Sequence, residues 1–225
     1  MTLHIGLLVF PKVQQLDLTG PYDVFATLPG VSVHLIWKDR DTLLSSTGLQ
    51  LTPTQTFAEC PPLDVLCIPG GQGIDALLED EETLAFIRKQ AKTAKYLTSV
   101  CTGALVLGAV GLLEGKRATT HWASHDLLMS FGAIPVHERV VRDGNLMTGG
   151  GVTAGIDFAL TLVSELFGEV QAQTVQLQLE YAPAPPFDAG HPLTAPSEVL
   201  ALATERARNS MAQRRAIVAR ITTKP

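Results

Sequence analysis

The sequence predicts an α/β fold, a mostly parallel central sheet with helices on both faces. Two observations lead there. Short apolar or β-branched runs alternate at close spacing with longer runs of helical period. The composition, 46% hydrophobic against 17% charged over 225 residues, suits strands buried on both faces better than a sheet with one wet side. That length supports one large domain or two small ones, and one is the simpler reading.

The first strand is expected over His4 to Phe10, ended by Pro11. A helix is expected to begin near Pro21, because proline is tolerated in a first turn and Thr19 offers a cap. Val31 to Trp37 reads as the second strand, stopped by Lys38-Asp39-Arg40-Asp41. A polar, hairpin-like stretch through Gly48 and Pro53 leads to the buried strand Asp64 to Ile68, and Glu81 to Ala94 reads as a helix. Tyr96 to Val100, aromatic and then β-branched, is a strand; Thr102 to Gly108, small and apolar, is a helix packed close to the sheet. Arg117 to Thr120 is a short strand and Ser124 to Phe131 a helix. Arg139 to Arg142 and Leu146 to Thr148 flank Asp143-Gly144-Asn145, a hairpin turn signal. Gly149-Gly150-Gly151 opens a helix from about Thr153 to Phe167. Ala182-Pro183-Ala184-Pro185-Pro186-Phe187 reads as a linker. The α/β domain is therefore taken as residues 1–190, with a helical extension over 191–225 packed on that domain or on a partner subunit.

Charge and cysteine content narrow the function classes. A net charge of −5 gives no basic field for nucleic acid. Arg206, Arg208, Arg214, Arg215 and Arg220 form the one basic cluster, and on a helix they read as a solvated face. No segment approaches the length of a membrane span, and no leader-like run precedes the first strand. The chain is expected in the cytoplasm. Three cysteines without framework spacing argue against disulfides.

Cys101 stands where the Tyr96–Val100 strand joins the following helix. A tight strand-to-helix turn lifts such a side chain out of the core, and the helix N-terminus offers unpaired N–H groups and a positive dipole end expected to favour thiolate. The carboxyl ends of parallel strands are also where open α/β sheets bind ligands. A free cysteine is otherwise a small buried hydrophobe. That reading serves Cys67, inside Val65 to Ile68, and Cys60, before Pro61-Pro62.

Three other loops fall at the same sheet edge. Asp17 lies in Gln14 to Pro21 between Leu16 and Leu18, where desolvation would raise its pKa; it reads equally well as an ordinary helix-start aspartate. Ile68 to Gly73 carries Gly70 and Gly71, whose N–H groups could face a developing negative charge or could simply form a turn. Thr148 to Gly155, with Val152, is a pocket wall or a tight chain reversal. His121 has the position of a base for Cys101, although a packed histidine at a strand end suits it slightly better. His121 and His125 lie four apart with no third ligand beside them, so no metal is expected.

LDLTGPYDV, PGGQG, SVCTGALVLGAVGLLEGKRATTHW and TGGGVTAGIDFAL, in that order over about residues 3–180, together resemble the ThiJ/PfpI superfamily, the class I glutamine amidotransferase-like fold. The tail LQLEYAPAPPFDAG is similar to its isocyanide-hydrating subgroup. The resemblance implies a flavodoxin-like α/β sandwich, a homodimer, a cysteine at a nucleophile elbow and no cofactor. Carried over by position, Cys101 matches the nucleophile and Asp17 the acidic partner, where many members have glutamate and this subgroup has aspartate. Thr102 stands where protease-like members carry histidine, which argues against peptidase activity.

The implied reaction converts a small-molecule isocyanide into an N-substituted formamide through a thioimidate on Cys101, with Asp17 as general acid and base. Thr102 would position the carboxyl group or the substrate nitrogen, and N–H groups near Gly71, Thr102 and Val152 would hold the thiolate or the intermediate. Two alternatives stay open, a non-enzymatic ligand or stress sensor and a glyoxalase-like enzyme. AraC-type regulators with a similar amino-terminal domain need roughly 100 further residues for their helix-turn-helix units, more than follow Pro186.

Overall fold

The computed structural model describes residues 2–223. The chain opens with β1 (Leu3–Leu8), α1 (Gln15–Ala26) and β2 (Val31–Trp37). A small excursion, β3 (Leu43–Leu44), β4 (Gln50–Leu51) and β5 (Gln55–Thr56), precedes β6 (Val65–Ile68). Two helices, α2 (Ile74–Leu77) and α3 (Glu81–Ala91), lead to β7 (Tyr96–Val100) and α4 (Gly103–Ala109). After β8 (Arg117–Ala118), a 3-10 helix over Trp122–Phe131 and β9 (Ile134–Pro135), the hairpin β10 (Val140–Asp143) and β11 (Leu146–Gly149) returns the chain to the sheet. The helices α5 (Ala154–Phe167), α6 (Glu169–Gln178) and α7 (Ser197–Thr222) complete it.

Seven strands form one sheet in the order β10-β11-β7-β6-β1-β2-β5. Every pairing is parallel except β10 with β11 at the edge. The central strands β6 and β7 are buried nearly throughout, as expected for parallel strands covered on both sides. On one face α1 packs on α5, with Phe25 edge-on to Phe158 at 6.2 Å between ring centroids. The α/β sandwich expected from the sequence is the architecture observed.

Several boundaries move, each for a local reason. The helix expected near Pro21 starts six residues earlier, so Pro21 lies inside α1. Its ring abuts Gly155 of α5, where an added Cβ would meet it at 3.2 Å; packing on a small residue fixes the helix there despite the missing N–H. Thr19 is no cap, since its hydroxyl donates to the Gln15 carbonyl one turn back at 3.0 Å. The helix expected over Ser124 to Phe131 is a 3-10 segment, capped by the His121 side chain and stopped by Gly132 at φ 70°. The hairpin at Asp143-Gly144-Asn145 forms as expected, with Gly144 at φ 64°.

The arginine cluster near the end departs furthest from expectation. Arg214 is buried: its Nε donates to Asp75 Oδ1 at 2.6 Å and its Nη1 to Ser124 Oγ at 3.3 Å. Arg220 makes a two-pronged pair with Glu79 at 2.8 and 2.7 Å, and Arg215 pairs with Asp126. With Ile217 and Val218 also buried, this face of α7 is a packing face against α2 and the 3-10 segment. A charge run read as solvated hides one residue that only its distant partner Asp75 makes tolerable in the interior. Among the described residues no helix is long and apolar enough to cross a membrane.

Candidate active site

The strand order locates a crevice. β1 and β6 are neighbours, yet the chain leaves β1 toward β2 on one side and leaves β6 toward β7 on the other. The loops after them diverge, opening a cleft at the strands' carboxyl ends. Three segments meet there: the first turn of α1, the Pro69–Gly73 loop and the β7–α4 join. The stretch leading into α1 is tied to the Pro69–Gly73 loop by the Val13–Gly71 bridge, by Gln14 N–H to the Gly70 carbonyl at 2.9 Å and by Gly73 N–H to the Lys12 carbonyl at 3.1 Å, and the loop to the join by Gly71 N–H to Thr102 Oγ1.

Cys101 sits at the join with φ 55°, a left-handed conformation that a non-glycine residue adopts at a cost of about 1–3 kcal/mol. Three hydrogen bonds hold it there. Its N–H is shared between the Gly149 and Gly150 carbonyls at 3.0 and 2.7 Å, and its carbonyl accepts from Thr120 Oγ1 at 2.6 Å. Those partners come from the glycine run after β11 and the segment after β8, so separate parts of the fold fix one turn. The following helix then begins directly under the thiol, and Gly103 packs against the Ile68 carbonyl too closely for any side chain.

Asp17 lies in the first turn of α1, fully buried. Its Oδ2 accepts the Gly70 N–H at 2.9 Å, while Oδ1 accepts no hydrogen bond of ordinary geometry among the described residues. Burial pushes the carboxyl up to about 7, against smaller lowering by the Gly70 N–H and the Cys101 thiol. Burial, and then the charge of Asp17, also push the Cys101 thiol well above its ordinary value; the Thr102 N–H and hydroxyl oppose this. The sequence-based expectation of a thiolate favoured by the helix end is thus reversed in the resting pair: desolvation outweighs the few N–H dipoles. Cys67 and Cys60 are pushed up to about 12 and about 11 by burial, and both serve as packing residues.

Thr102 Oγ1 accepts the Gly71 N–H at 3.1 Å. Gly71 was expected to offer that N–H to the thiolate or intermediate; here it orients Thr102 instead. Gly70 is what lets the groups converge, because a Cβ on it would lie 2.6 Å from Thr102 N and 2.8 Å from Asp17 Oδ2. Cys101, Thr102, Gly71 and Val152 line one cavity of about 220 Å³; Asp17 is not among its lining residues but is fully buried beside Gly70.

His121 lines the same cavity. Its Nδ1 accepts the Ala123 N–H at 3.3 Å, and burial, with Arg214 nearby, pushes its pKa below the ordinary value. A neutral ring with Nδ1 so engaged carries its proton on Nε2. It has no lone pair left to deprotonate Cys101.

The sequence reading missed one wall altogether. Ala207, Ser210, Met211 and Arg214 of α7 face Cys101 across the cavity. Their spacing of three, four and seven residues marks one helix face, which is a signal the sequence did carry. What it lacked was any sign that this face closes over a thiol more than a hundred residues away. Among the described residues no group of three or more histidine, cysteine or carboxylate side chains is placed to hold a metal ion.

Comparison with known proteins gives concordant results. The DJ-1/PfpI family matches residues 4–165. An isonitrile hydratase of Pseudomonas putida is 67% identical over 224 residues, covering 100% of this chain and 98% of its own length. A Parkinson disease protein 7 homolog of Danio rerio is 36% identical over 176 residues, 75% of this chain and 93% of its own. The crystal structure of a ThiJ/PfpI family protein from Pseudomonas syringae superposes with a TM-score of 0.94 at 45% identity, over 97% of this chain and 91% of that one.

Proposed function

The chain belongs to the DJ-1/PfpI family, and from that premise we propose that it is an isonitrile (isocyanide) hydratase, converting R–N≡C and water into an N-substituted formamide. The observation that carries this is the likeness, over essentially both full lengths, to the Pseudomonas putida isonitrile hydratase. The buried thiol and carboxyl pair supplies a mechanism for it.

An isocyanide's terminal carbon must gain both a proton and a nucleophile. Cys101 and Asp17 supply them from one shared proton. When that proton passes from sulfur to the carboxylate, the pair becomes thiolate and carboxylic acid, with the Thr102 N–H and hydroxyl favouring the thiolate. The acid of Asp17 protonates the terminal carbon while sulfur adds to it, giving the thioimidate R–N=CH–S and leaving Asp17 ionised. Asp17 then takes a proton from water as its oxygen attacks that carbon, and passes the proton to nitrogen. Collapse returns the second water proton to Asp17, breaks the C–S bond and releases R–NH–CHO with Cys101 as thiolate. The open lone pairs of Asp17 Oδ1 are the transfer point, and the Thr102 and Val152 N–H groups hold the developing charge.

The experiment is direct. Cys101→Ala should abolish formamide production, and mass spectrometry of a slow variant such as Thr102→Val should find the substrate's mass added at Cys101. Full turnover by Cys101→Ala sinks the covalent route.

The working assembly is proposed to be a homodimer; the exposed apolar side chains Phe167, Val170 and Leu177 along α5 and α6 support it, and sedimentation measures it. The described part of the helical extension expected over 191–225, residues 191–223, is proposed to belong to the same folding unit, as the buried Arg214–Asp75 pair suggests; 224–225 lie outside the described residues. A free thiol nucleophile calls for a reducing compartment, so the cytoplasm is the proposed location.

A further inference from the structure

Cys101 is held in its left-handed turn from both ends of the residue, and the partner of its carbonyl is a side chain. Thr120 Oγ1 donates to that carbonyl at 2.6 Å, a short distance for a neutral hydroxyl, from 19 positions further along the chain. Thr120 is 3% exposed and is not among the residues lining the Cys101 cavity. Its own place is set on both sides: the Thr119 N–H donates to Thr148 Oγ1 of β11 at 2.9 Å, and the His121 side chain caps the 3-10 segment. Between those anchors a β-branched side chain has few rotamers open to it. A peptide unit is planar and trans, so its C=O and N–H point in opposite directions. Fixing the Cys101 carbonyl on Thr120 therefore also fixes the Thr102 N–H, which belongs to the same unit. That N–H, with the Thr102 hydroxyl, favours the Cys101 thiolate against burial and the charge of Asp17. A hydrogen bond on the carbonyl also polarises the amide and strengthens its N–H as a donor.

We propose that Thr120 is a positioning residue for the nucleophile: its hydroxyl, bound to the Cys101 carbonyl, sets the plane of the Cys101–Thr102 peptide unit and so aims the Thr102 N–H at sulfur. The turnover part of this rests on the isocyanide-hydrating reading above; the thiol's own reactivity does not. Without the hydroxyl, the conformation of Cys101 at φ 55° loses one of the three hydrogen bonds that hold it, and rotation of this one peptide unit relieves the strain. Sulfur then loses its donor, while Asp17, held by the Gly70 N–H, stays in place. The consequence falls on the thiolate fraction, on which nucleophilic attack depends, and not on contacts to the substrate.

The test compares the wild type with Thr120→Val, which keeps the side chain's volume and removes the hydroxyl, and with Thr120→Ser, which keeps the hydroxyl. On each full-length protein kcat and KM are measured for n-butyl isocyanide by formamide release. Alkylation of Cys101 by iodoacetamide at pH 8 is followed by mass spectrometry in the Asp17→Asn background, where the thiol titrates alone. Thermal melts identify the folded variants, and Thr120→Ala takes the place of Thr120→Val if the latter does not fold. Thr120→Val is expected to lower kcat about tenfold with KM within about twofold of wild type, and to slow alkylation by a similar factor. Thr120→Ser is expected to recover both to within about threefold. Either loss without the other, a loss carried by KM, values within about twofold of wild type in Thr120→Val, or a Thr120→Ser as impaired as Thr120→Val overturns the proposal and leaves the hydratase reading intact. The expected alkylation pattern in a protein that releases no formamide overturns the hydratase reading and leaves the proposal standing.

Discussion

Asp17 Oδ2 receives the Gly70 N–H at 2.9 Å, and a methyl group on Gly70 would stand 2.8 Å from that same oxygen. The backbone that donates to the carboxylate is therefore also a place where no side chain can be added. Gly70→Ala is expected to push Asp17 and Thr102 out of register with Cys101, lowering kcat/KM by about 100-fold and stability by about 1–3 kcal/mol. Steady-state formamide kinetics and urea unfolding measure the two. A loss under threefold would mean that the convergence of these groups is not needed.

The shared proton sets the pH dependence. With Asp17 near 7 and Cys101 well above its ordinary value, both groups are protonated below about pH 7 and one proton is held between them above it. Activity is expected to rise with pH through an apparent pKa of about 7 belonging to the pair. A kcat/KM profile that is flat between pH 6 and 8 would contradict the one-proton state as the active form.

The same burial costs stability. The folded pKa of Asp17 lies above the ordinary value of 3.8, so the acid's contribution is full below about pH 3.8 and is lost as pH rises through about 7. Asp17→Asn removes the ionisation and keeps an oxygen for Gly70. It is expected to be inactive yet more stable than the wild type at pH 8, by on the order of 4 kcal/mol at ~1.4 kcal/mol per pH unit. Thermal melts at pH 8 and pH 4 test this: the gap should close at the lower pH, and an equal gap at both would remove the linkage.

The α7 wall depends on a buried ion pair whose side chains are 7% and 11% exposed. Asp75→Ala leaves the Arg214 guanidinium uncompensated, at an expected cost of about 3–5 kcal/mol. Asp75→Leu combined with Arg214→Met should recover most of that loss, and denaturant titration of the three variants distinguishes a pair interaction from simple packing. NMR titration of His121 in Arg214→Met should show its pKa rising toward the ordinary value, since the nearby positive charge is gone.

Legibility in the sequence followed range. Strand runs such as Val65 to Ile68 and the Asp143-Gly144-Asn145 turn announce themselves through their own neighbours, and Cys101 through its place between two such runs. Asp17 was visible only as an aspartate between leucines; its pKa near 7 comes from being sealed under Gly70, which no local pattern encodes. Gly71 misled because a glycine's freedom says that the backbone can approach something, not whether that something is substrate or Thr102. Arg214 misled most, because among five arginines on one helix nothing marks the one whose counter-charge lies 139 positions away.

That separation also orders events in time. The sheet and the Cys101 turn draw only on residues up to Gly150, so they can form on a chain still being synthesised, whereas Ala207 to Arg214 emerge more than fifty residues later. Domains are made at about 5–20 residues per second, so for several seconds each new molecule carries Cys101 at an unroofed sheet edge. The Cys101 cavity is therefore expected to close only after the sheet edge beneath it has formed, when Arg214 docks on Asp75.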